Sequence, residues 1–273
     1  MSELKLPICD LFVSIQGEGL RTGRPSIFIR ISGCNLRCVF KGSICDTPYS
    51  SFNPEKSSYT IEDVKKIIAD NPQVNDIVIT GGEPLMYKNQ LEMMLEEIYE
   101  DRFYITIETN GSLPMLNPLN PKFKISLYSV SPKLHTSIAQ PGQVVDTPSG
   151  KKIFGTEEVE NLNKKRINIK TLSDIVLYAK DYQFKFVYSG QECISEIEDI
   201  YNKMEKFVEE QGPYQHSYFK KNHPKKNTML MPEGITEEQL KTKRLEMADE
   251  CIKKGWTYTD RIHILIWGDK RGV

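Results

Sequence analysis

The sequence of 273 residues lacks the features that would assign it to a broad class by themselves. It has no excess of one charge, since 36 lysines and arginines are balanced by 37 aspartates and glutamates, and this argues against direct binding of nucleic acid by bulk charge. No apolar run approaches the roughly 18 residues that cross a bilayer. The N-terminal MSELKLPICD has no basic segment followed by an apolar one, so we expect a cytoplasmic protein without a membrane anchor.

Cysteine and histidine are also scarce, with six and four residues in the chain. Three of the cysteines nevertheless lie in one polar loop, GCNLRCVFKGSICDT, at Cys34, Cys38 and Cys45. In a reducing compartment, such a cluster indicates metal ligation or catalysis rather than a disulfide framework. The other three are isolated in the sequence, and we expect them to be buried apolar residues: Cys9, Cys193 and Cys251.

The content of this loop favours an iron–sulfur cluster over zinc. Structural zinc takes four ligands, typically as two close pairs, whereas the loop has three thiols and no histidine. Three cysteine thiolates suit a [4Fe–4S] cluster with one iron left open, which can bind and activate a substrate. The loop therefore predicts a catalytic cluster. A non-catalytic zinc or nucleic-acid-binding module stays an alternative, suggested by the cysteines and the basic residues 220–226.

Apolar strands alternate with helical segments along the chain, which predicts an α/β fold. We expect strands at 26–32, 76–80, 104–108, 123–131, 183–189, 228–231 and 261–267, and helices at 60–70, 91–99, 172–179, 193–207 and 236–254. This alternation predicts a mostly parallel sheet of about six strands, as in an incomplete (β/α) barrel. We treat residues 1–273 as a single domain, with surface insertions or flexible loops near 137–170 and 211–227.

Unusual residues follow the predicted strands at the points where the strands end. The cysteine loop follows the first strand, TGGEP (80–84) the second, ETNG (108–111) the third and SPK (131–133) the fourth, and MPEG (231–234) follows a later strand. In an open parallel sheet, ligands bind beyond the C-terminal ends of the strands. We therefore expect one rim of the sheet to collect thiols, carboxylates, hydroxyls and glycine turns.

In combination and order, these motifs resemble the radical S-adenosylmethionine superfamily, and more closely its 7-carboxy-7-deazaguanine synthases. The resemblance spans nearly the whole chain, through the pieces FVSIQGEG, IFIRISGCNLRC, CDT, TGGEP, IETNG, SPK, KFV, MPEG and RIHILIWGDKRGV. The cysteine spacing departs from the family, because C-x3-C-x6-C stands where C-x3-C-x2-C is usual. We expect the four extra residues, KGSI at 41–44, to bulge from the loop with Gly42 in a turn, and cluster binding to persist.

The resemblance implies a set of metal and cofactor ligands. Cys34, Cys38 and Cys45 would ligate three irons of a [4Fe–4S] cluster, and the fourth iron would chelate S-adenosylmethionine. Thr47 would help to hold Mg²⁺ beside the substrate. The remaining contacts to S-adenosylmethionine would come from Gly81, Gly82, Glu83, Thr109, Ser131 and Lys133.

A second set of residues would surround a pterin substrate. The guanidinium of Arg30 suits the carboxylate of a carboxylated tetrahydropterin, and Glu18 can accept hydrogen bonds from its ring N–H groups. The C-terminal Val273 would close over the pocket. The complete set implied by the resemblance is Ile15, Gln16, Glu18, Arg30, His263 and Val273.

The reaction implied by the resemblance begins with a 5′-deoxyadenosyl radical, which takes a hydrogen from the ring carbon that carries the carboxylate of 6-carboxy-5,6,7,8-tetrahydropterin. The ring then contracts and loses ammonia, which gives 7-carboxy-7-deazaguanine for queuosine and other 7-deazapurines. Members of the family regenerate the adenosyl cofactor, use Mg²⁺, form homodimers and take electrons from a donor such as flavodoxin or ferredoxin.

A second radical S-adenosylmethionine enzyme type stays open as an alternative. An enzyme that activates a partner protein by making a glycyl radical would explain the cysteines and TGGEP. It would leave QGEG, Arg30 and the terminal WGDKRGV unexplained.

Overall fold

The fold is described from a computed structural model, for residues 6–41 and 43–273. Its strands are β1 (Ile8–Ile15), β2 (Pro25–Ile31), β3 (Val39–Phe40), β4 (Ser43–Ile44), β5 (Asp76–Gly81), β6 (Tyr104–Thr109), β7 (Leu127–Val130), β8 (Val144–Thr147), β9 (Gly150–Ile153), β10 (Tyr182–Tyr188), β11 (Thr228–Pro232) and β12 (Thr257–Tyr258). Its α-helices are α1 (Ile61–Asp70), α2 (Lys88–Ile98), α3 (Thr156–Lys165), α4 (Ile169–Tyr178), α5 (Glu192–Glu209), α6 (Pro213–Lys221), α7 (Glu237–Lys254) and α8 (Ile262–Trp267).

The central sheet has eight strands in the order β1-β2-β5-β6-β7-β10-β11-β12. Only β1 runs antiparallel to its neighbour, and the other pairs are parallel. Spatial order follows chain order, which is the winding of a (β/α) barrel. Within residues 6–41 and 43–273, no pairing joins β1 to β12, so the barrel is incomplete. The predicted α/β fold with a mostly parallel sheet is confirmed.

A continuous apolar core holds the helices against the sheet. Ile27, Ile29, Ile77 and Ile79 of the inner strands are fully buried and belong to one hydrophobic cluster with residues of α1, α2, α4 and α5. A second cluster packs Leu36 and Val39 of the cysteine loop against Val145, Phe154 and Leu162 of the 137–165 segment. The three isolated cysteines are also buried, as predicted: Cys9, Cys193 and Cys251. Among the described residues, no helix combines the length and apolarity that a membrane span needs.

Two helix starts follow the capping pattern in the sequence. At the start of α1, the Asp63 N–H donates to Thr60 Oγ1 (3.2 Å) and the Thr60 N–H donates to Asp63 Oδ2 (2.8 Å). At the start of α7, Thr236 and Gln239 exchange the equivalent bonds, both of 3.3 Å. Such reciprocal bonds satisfy backbone donors that a helix start leaves unpaired. The predicted beginnings of both helices are therefore confirmed.

The prediction of a strand at 261–267 is wrong, because these residues form helix α8. The isoleucine-rich run RIHILIW favours a strand by composition, but tertiary context overrides this weak preference. The edge position beside β11 is occupied by the short strand β12. The Arg261 N–H donates to Asp260 Oδ1 (2.7 Å) and the Ile262 N–H to Gly17 O (3.0 Å), and both bonds turn the chain away from the sheet.

The two stretches expected to be insertions or flexible loops contain regular structure. Residues 137–170 hold the β8–β9 hairpin, helix α3 and the start of α4, and residues 211–227 hold α6 and a 3₁₀ turn. The interpretation as loops is wrong because the rich Pro, Gly and Asn content marks turns between short elements here. The strand β1 was not predicted at all. It pairs with β2 from Ile8 to Ile15.

Candidate active site

A cavity of about 780 Å³ opens at the C-terminal ends of the parallel strands. All but one of the residues predicted to bind metal, cofactor or substrate line it, and Glu83 is the exception. The lining residues among them are Ile15, Gln16, Glu18, Arg30, Cys34, Cys38, Cys45, Thr47, Gly81, Gly82, Thr109, Ser131, Lys133, His263 and Val273. Residues from both ends of the sequence and from four sheet strands, β1, β2, β5 and β6, therefore share one cavity, as the strand-end pattern predicts.

The wide gap between Cys38 and Cys45 is occupied by a small hairpin. Strand β3 pairs antiparallel with β4, and the Cys45 N–H donates to Cys38 O at 3.0 Å. Lys41, at the tip, has φ 43°, and its Nζ donates to Ser189 O at 2.6 Å. Gly42, expected in a turn, lies outside the described residues. The described extra residues thus belong to a hairpin that lines the cavity, and the backbones of the two cysteines remain neighbours.

The three thiols line one cavity, as the ligands of one cluster must. Cys34 Sγ accepts from the Leu36 N–H (3.4 Å), and Cys45 Sγ lies 3.4 Å from Thr47 Oγ1. Within the described residues, no three Cys, His, Asp or Glu side chains are grouped closely enough for one metal ion. A four-iron cluster takes cysteine thiolates as its ligands, so the chemistry of this donor set fits such a cluster.

Burial controls the charge of these thiols. It raises the pKa of Cys34 to about 11 and also raises the pKa of Cys38 and Cys45. Lys133 opposes this effect at all three thiols through its positive charge. Since metal ligands are thiolates, cluster binding must release protons from this loop.

The TGGEP turn brings its backbone against the cysteine loop. A Cβ at Gly82 would lie 2.2 Å from Gly33 O and 2.4 Å from Ser50 O, and one at Gly81 would lie 2.1 Å from Ile31 O. Gly81 also has φ 141°, which other residues rarely adopt. Both glycines are therefore required for the close approach of strand β5 to the start of the cysteine loop.

The carboxylate of Glu83 accepts its hydrogen bonds from the protein itself. Its Oε1 accepts from the Leu85 N–H (3.0 Å) and from Thr109 Oγ1 (2.8 Å), and its Oε2 accepts from the Asn110 N–H (2.7 Å). The side chain is fully buried, and burial raises its pKa. Glu83 thus ties the turn after β5 to the turn after β6, and its side chain does not reach the cavity.

The SPK segment presents a cation to the cavity. Lys133 Nζ donates to Ser131 Oγ at 2.9 Å. Arg166 Nη1 donates to Lys133 O (3.0 Å) and pairs with Glu196 Oε1 (2.5 Å). Arg166, which is itself bound by Glu196, therefore fixes the backbone of the SPK segment. Through Arg166, the 137–170 stretch contributes to the site.

The opposite part of the cavity contains a buried network of charged groups around Glu18. Lys185 Nζ pairs with Glu18 Oε2, and Arg261 Nε donates to Glu18 Oε1 at 3.0 Å. Arg261 Nη2 reaches Asp46 Oδ2 at 2.6 Å. Although burial alone would raise the pKa of Glu18, the cations Lys185 and Arg261 hold it well below its usual range. Glu18 is therefore ionised at neutral pH.

Two further polar side chains border this network. Gln16 Nε2 donates to Glu108 Oε1 at 3.1 Å, and Thr80 Oγ1 donates to Glu108 Oε2 at 2.7 Å. His263 packs against Gly17, where a Cβ would lie 2.0 Å from its Nδ1. Burial lowers the pKa of His263, so the imidazole is neutral at neutral pH.

Sequence reasoning did not single out several residues that the structure brings to this site. Lys185 belongs to the KFV motif and is a lysine within the apolar strand QFKFVY, which was a usable signal. Asp46 lies between Cys45 and Thr47 in CDT. Glu108 belongs to the strand-end motif ETNG, which indicated the rim but not a role for this side chain. No local pattern indicates that Arg261 joins the cavity, because its partner Asp46 is remote in sequence.

Comparison with known proteins agrees with this geometry. The radical SAM superfamily matches residues 28–204 of the chain. The 7-carboxy-7-deazaguanine synthase of Rhodopirellula baltica is 34% identical over 272 residues, covering 100% of this chain and 90% of that protein. The 7-carboxy-7-deazaguanine synthase of Halobacterium salinarum is 33% identical over 266 residues, covering 97% and 91% of the two chains.

The fold is also shared with a solved structure. The crystal structure of QueE from Escherichia coli superimposes with a TM-score of 0.55 at 19% identity, over 94% of each chain. At this identity the likeness concerns the fold alone. The family match and the full-length sequence matches place the chain in the radical SAM superfamily and, within it, in the family of 7-carboxy-7-deazaguanine synthases.

Proposed function

We propose that the protein converts 6-carboxy-5,6,7,8-tetrahydropterin to 7-carboxy-7-deazaguanine with loss of ammonia, in the biosynthesis of queuosine and other 7-deazapurines. The observation that carries the proposal is the shared cavity, in which the cysteine loop faces polar groups suited to a carboxylated pterin. The family membership of the chain supports the same reaction.

A [4Fe–4S] cluster and S-adenosylmethionine follow from membership of the superfamily. We assign cluster ligation to Cys34, Cys38 and Cys45. When bound, the cluster and S-adenosylmethionine supply a 5′-deoxyadenosyl radical for hydrogen abstraction. We assign contacts with S-adenosylmethionine to Gly81, Gly82, Thr109, Ser131 and Lys133. Glu83 contributes by holding the turns in place, because its buried carboxylate accepts three hydrogen bonds from the protein and does not line the cavity.

The pterin is oriented by charge and by hydrogen bonds. Arg30 presents a guanidinium fork for the substrate carboxylate. Glu18 accepts from ring N–H groups, and it is suited to this because Lys185 and Arg261 keep it ionised. Gln16 and the neutral imidazole of His263 supply further donors and acceptors around the ring. These fixed groups favour one orientation of the ring.

The walls of the cavity restrict solvent and side reactions. Ile15 and Val273 line the cavity, and we assign both to the pterin side. We assign to Thr47 one oxygen ligand of a Mg²⁺ that also binds the substrate, since Mg²⁺ prefers oxygen and is often shared with a substrate. The proposal also includes a cytoplasmic location, a homodimer and an electron donor such as flavodoxin or ferredoxin.

The test compares wild-type protein with Cys45→Ala after anaerobic cluster reconstitution. Wild-type protein should be brown with about four irons per chain. It should form 7-carboxy-7-deazaguanine when given reductant, S-adenosylmethionine, Mg²⁺ and the carboxylated tetrahydropterin. Cys45→Ala should lose the cluster and the product. Stoichiometric zinc in a colourless wild-type preparation would reject the proposal in favour of a zinc module.

A further inference from the structure

The C-terminal segment is attached to the wall of the cavity through one arginine. Arg271 donates to Asp10 from Nε (3.0 Å) and Nη2 (2.9 Å), and to Glu55 from Nη1 (2.9 Å) and Nη2 (2.7 Å). Its guanidinium carbon also lies 3.6 Å from the centre of the Tyr49 ring. A guanidinium that makes fork contacts to two carboxylates and stacks on a ring is held in a defined position.

Asp10 has a second cationic neighbour, the proposed carboxylate ligand Arg30. Arg30 Nε lies 3.3 Å from Asp10 Oδ2, but among the described residues this buried nitrogen has no hydrogen-bond partner. Arg30 and Arg271 therefore share the negative charge of Asp10, and of the two only Arg271 donates hydrogen bonds to it. The Tyr49 ring is near both arginines, with its centre 5.8 Å from the Arg30 guanidinium carbon and 3.6 Å from that of Arg271.

The two arginines and the two carboxylates differ in their position relative to the cavity. Both Arg30 and Arg271 line the cavity, whereas Asp10 and Glu55 do not. Asp10 is largely buried, with 13% of its side chain exposed, so its charge is poorly screened by water. If Asp10 were not bound by Arg271, its whole negative charge would be paired with Arg30, with which it now forms only an ion pair without a hydrogen bond. It would then also repel an anion that approaches Arg30 from the cavity.

We propose that Arg271 is a positioning residue that determines specificity for the substrate carboxylate. By binding Asp10 and Glu55, Arg271 leaves the positive charge of Arg30 available to a carboxylate in the cavity. The inference rests on the proposed function, which supplies a carboxylated pterin as substrate. It adds a role for two residues, Arg271 and Asp10, that act on the substrate only through Arg30.

The test measures discrimination between a carboxylated and an uncarboxylated pterin. The probes are 6-carboxypterin and pterin, with the Kd of each determined anaerobically on cluster-reconstituted protein in the presence of S-adenosylmethionine. We define the ratio as the Kd of pterin divided by the Kd of 6-carboxypterin. In Arg271→Ala this ratio should fall by about tenfold, as expected for loss of a charge-assisted contact. Adding Asp10→Asn to Arg271→Ala should restore most of the ratio, because the competing negative charge is then removed.

The matched control is Arg102→Ala, which removes another arginine with similar contacts. Arg102 pairs with Glu100 (2.8 Å) and stacks on Phe103 (4.3 Å), but it does not line the cavity. In Arg102→Ala, the ratio of the two Kd values should equal that of the wild type. If Arg271 only anchors the chain end, Asp10→Asn will not restore the ratio, and the inference is overturned.

The outcome for the proposed function is measured separately, by product formation in the wild type. A wild type that makes 7-carboxy-7-deazaguanine, with an unchanged Kd ratio in Arg271→Ala, rejects this inference and leaves the proposed function in place. A cluster-containing wild type that makes no product rejects both.

Discussion

Arg261 Nη2 lies 2.6 Å from Asp46 Oδ2, although 215 residues separate the two in sequence. Arg261 also donates to Glu18 and to Gly234 O, so one guanidinium joins four segments of the chain at the cavity. Asp46 stands between a proposed cluster ligand, Cys45, and a proposed Mg²⁺ ligand, Thr47. The position of the cysteine loop is therefore coupled to the C-terminal part of the chain.

Arg261→Ala is expected to lower both stability and cluster content. It removes three charge-assisted or backbone hydrogen bonds and leaves Asp46 without its cationic partner, which should lower the free energy of unfolding by about 2–3 kcal/mol. Chemical denaturation and iron analysis after reconstitution measure the two effects. Arg102→Ala, which removes only surface contacts, should change neither by much. A denaturation midpoint and an iron content equal to those of the wild type in Arg261→Ala would contradict the coupling between the cysteine loop and the C-terminal part of the chain.

Gly82→Ala should disrupt the contact between the TGGEP turn and the cysteine loop. The added Cβ would meet two backbone oxygens, those of Gly33 and Ser50, and neither can move like a flexible side chain. We expect poor folding or, in folded protein, a large loss of bound iron, both of which can be followed by circular dichroism and iron content.

The control for this substitution is Gly155→Ala. A Cβ at Gly155 meets nothing within 4 Å, and its φ of −76° suits any residue. Since Gly155 is the N-cap of α3, the change should cost less than about 1 kcal/mol. Equal behaviour of Gly82→Ala and Gly155→Ala would show that the close approach at Gly82 is not needed.

Thr47→Val tests the proposed Mg²⁺ ligand without a large change in side-chain volume. Loss of the hydroxyl should raise the Mg²⁺ concentration needed for half-maximal activity, by about tenfold or more, because an oxygen ligand is lost. Thr47→Ser keeps the oxygen and should behave like the wild type. Activity that responds to Mg²⁺ identically in all three proteins would remove Thr47 from the proposed site.

The strand-end motifs predicted that their residues would line one cavity, because parallel strands bring their C-terminal ends together whatever the details of packing. Local patterns could not predict the charge networks of Arg261 and Arg271, whose partners lie more than 200 residues away. The role of the Glu83 side chain was also beyond reach, since its partners lie partly in the next strand turn. The isoleucine-rich run of α8 favours a strand by composition. It forms a helix instead, and its first residue, Ile262, hydrogen-bonds to the remote Gly17.

For the cysteine loop too, the sequence indicated the function but not the local structure. The sequence indicated that a longer loop could still bind a cluster. It did not indicate the β3–β4 hairpin, whose pairing keeps Cys38 and Cys45 adjacent along their backbones.

The most direct test of the central claim is the balance of products in an anaerobic reaction of the reconstituted wild-type protein. Reductant, S-adenosylmethionine, Mg²⁺ and 6-carboxy-5,6,7,8-tetrahydropterin are supplied, and 7-carboxy-7-deazaguanine and ammonia are quantified. The account predicts that both form in equal amounts and that neither forms in Cys45→Ala. Protein with an intact cluster that cleaves S-adenosylmethionine but yields neither product would contradict it.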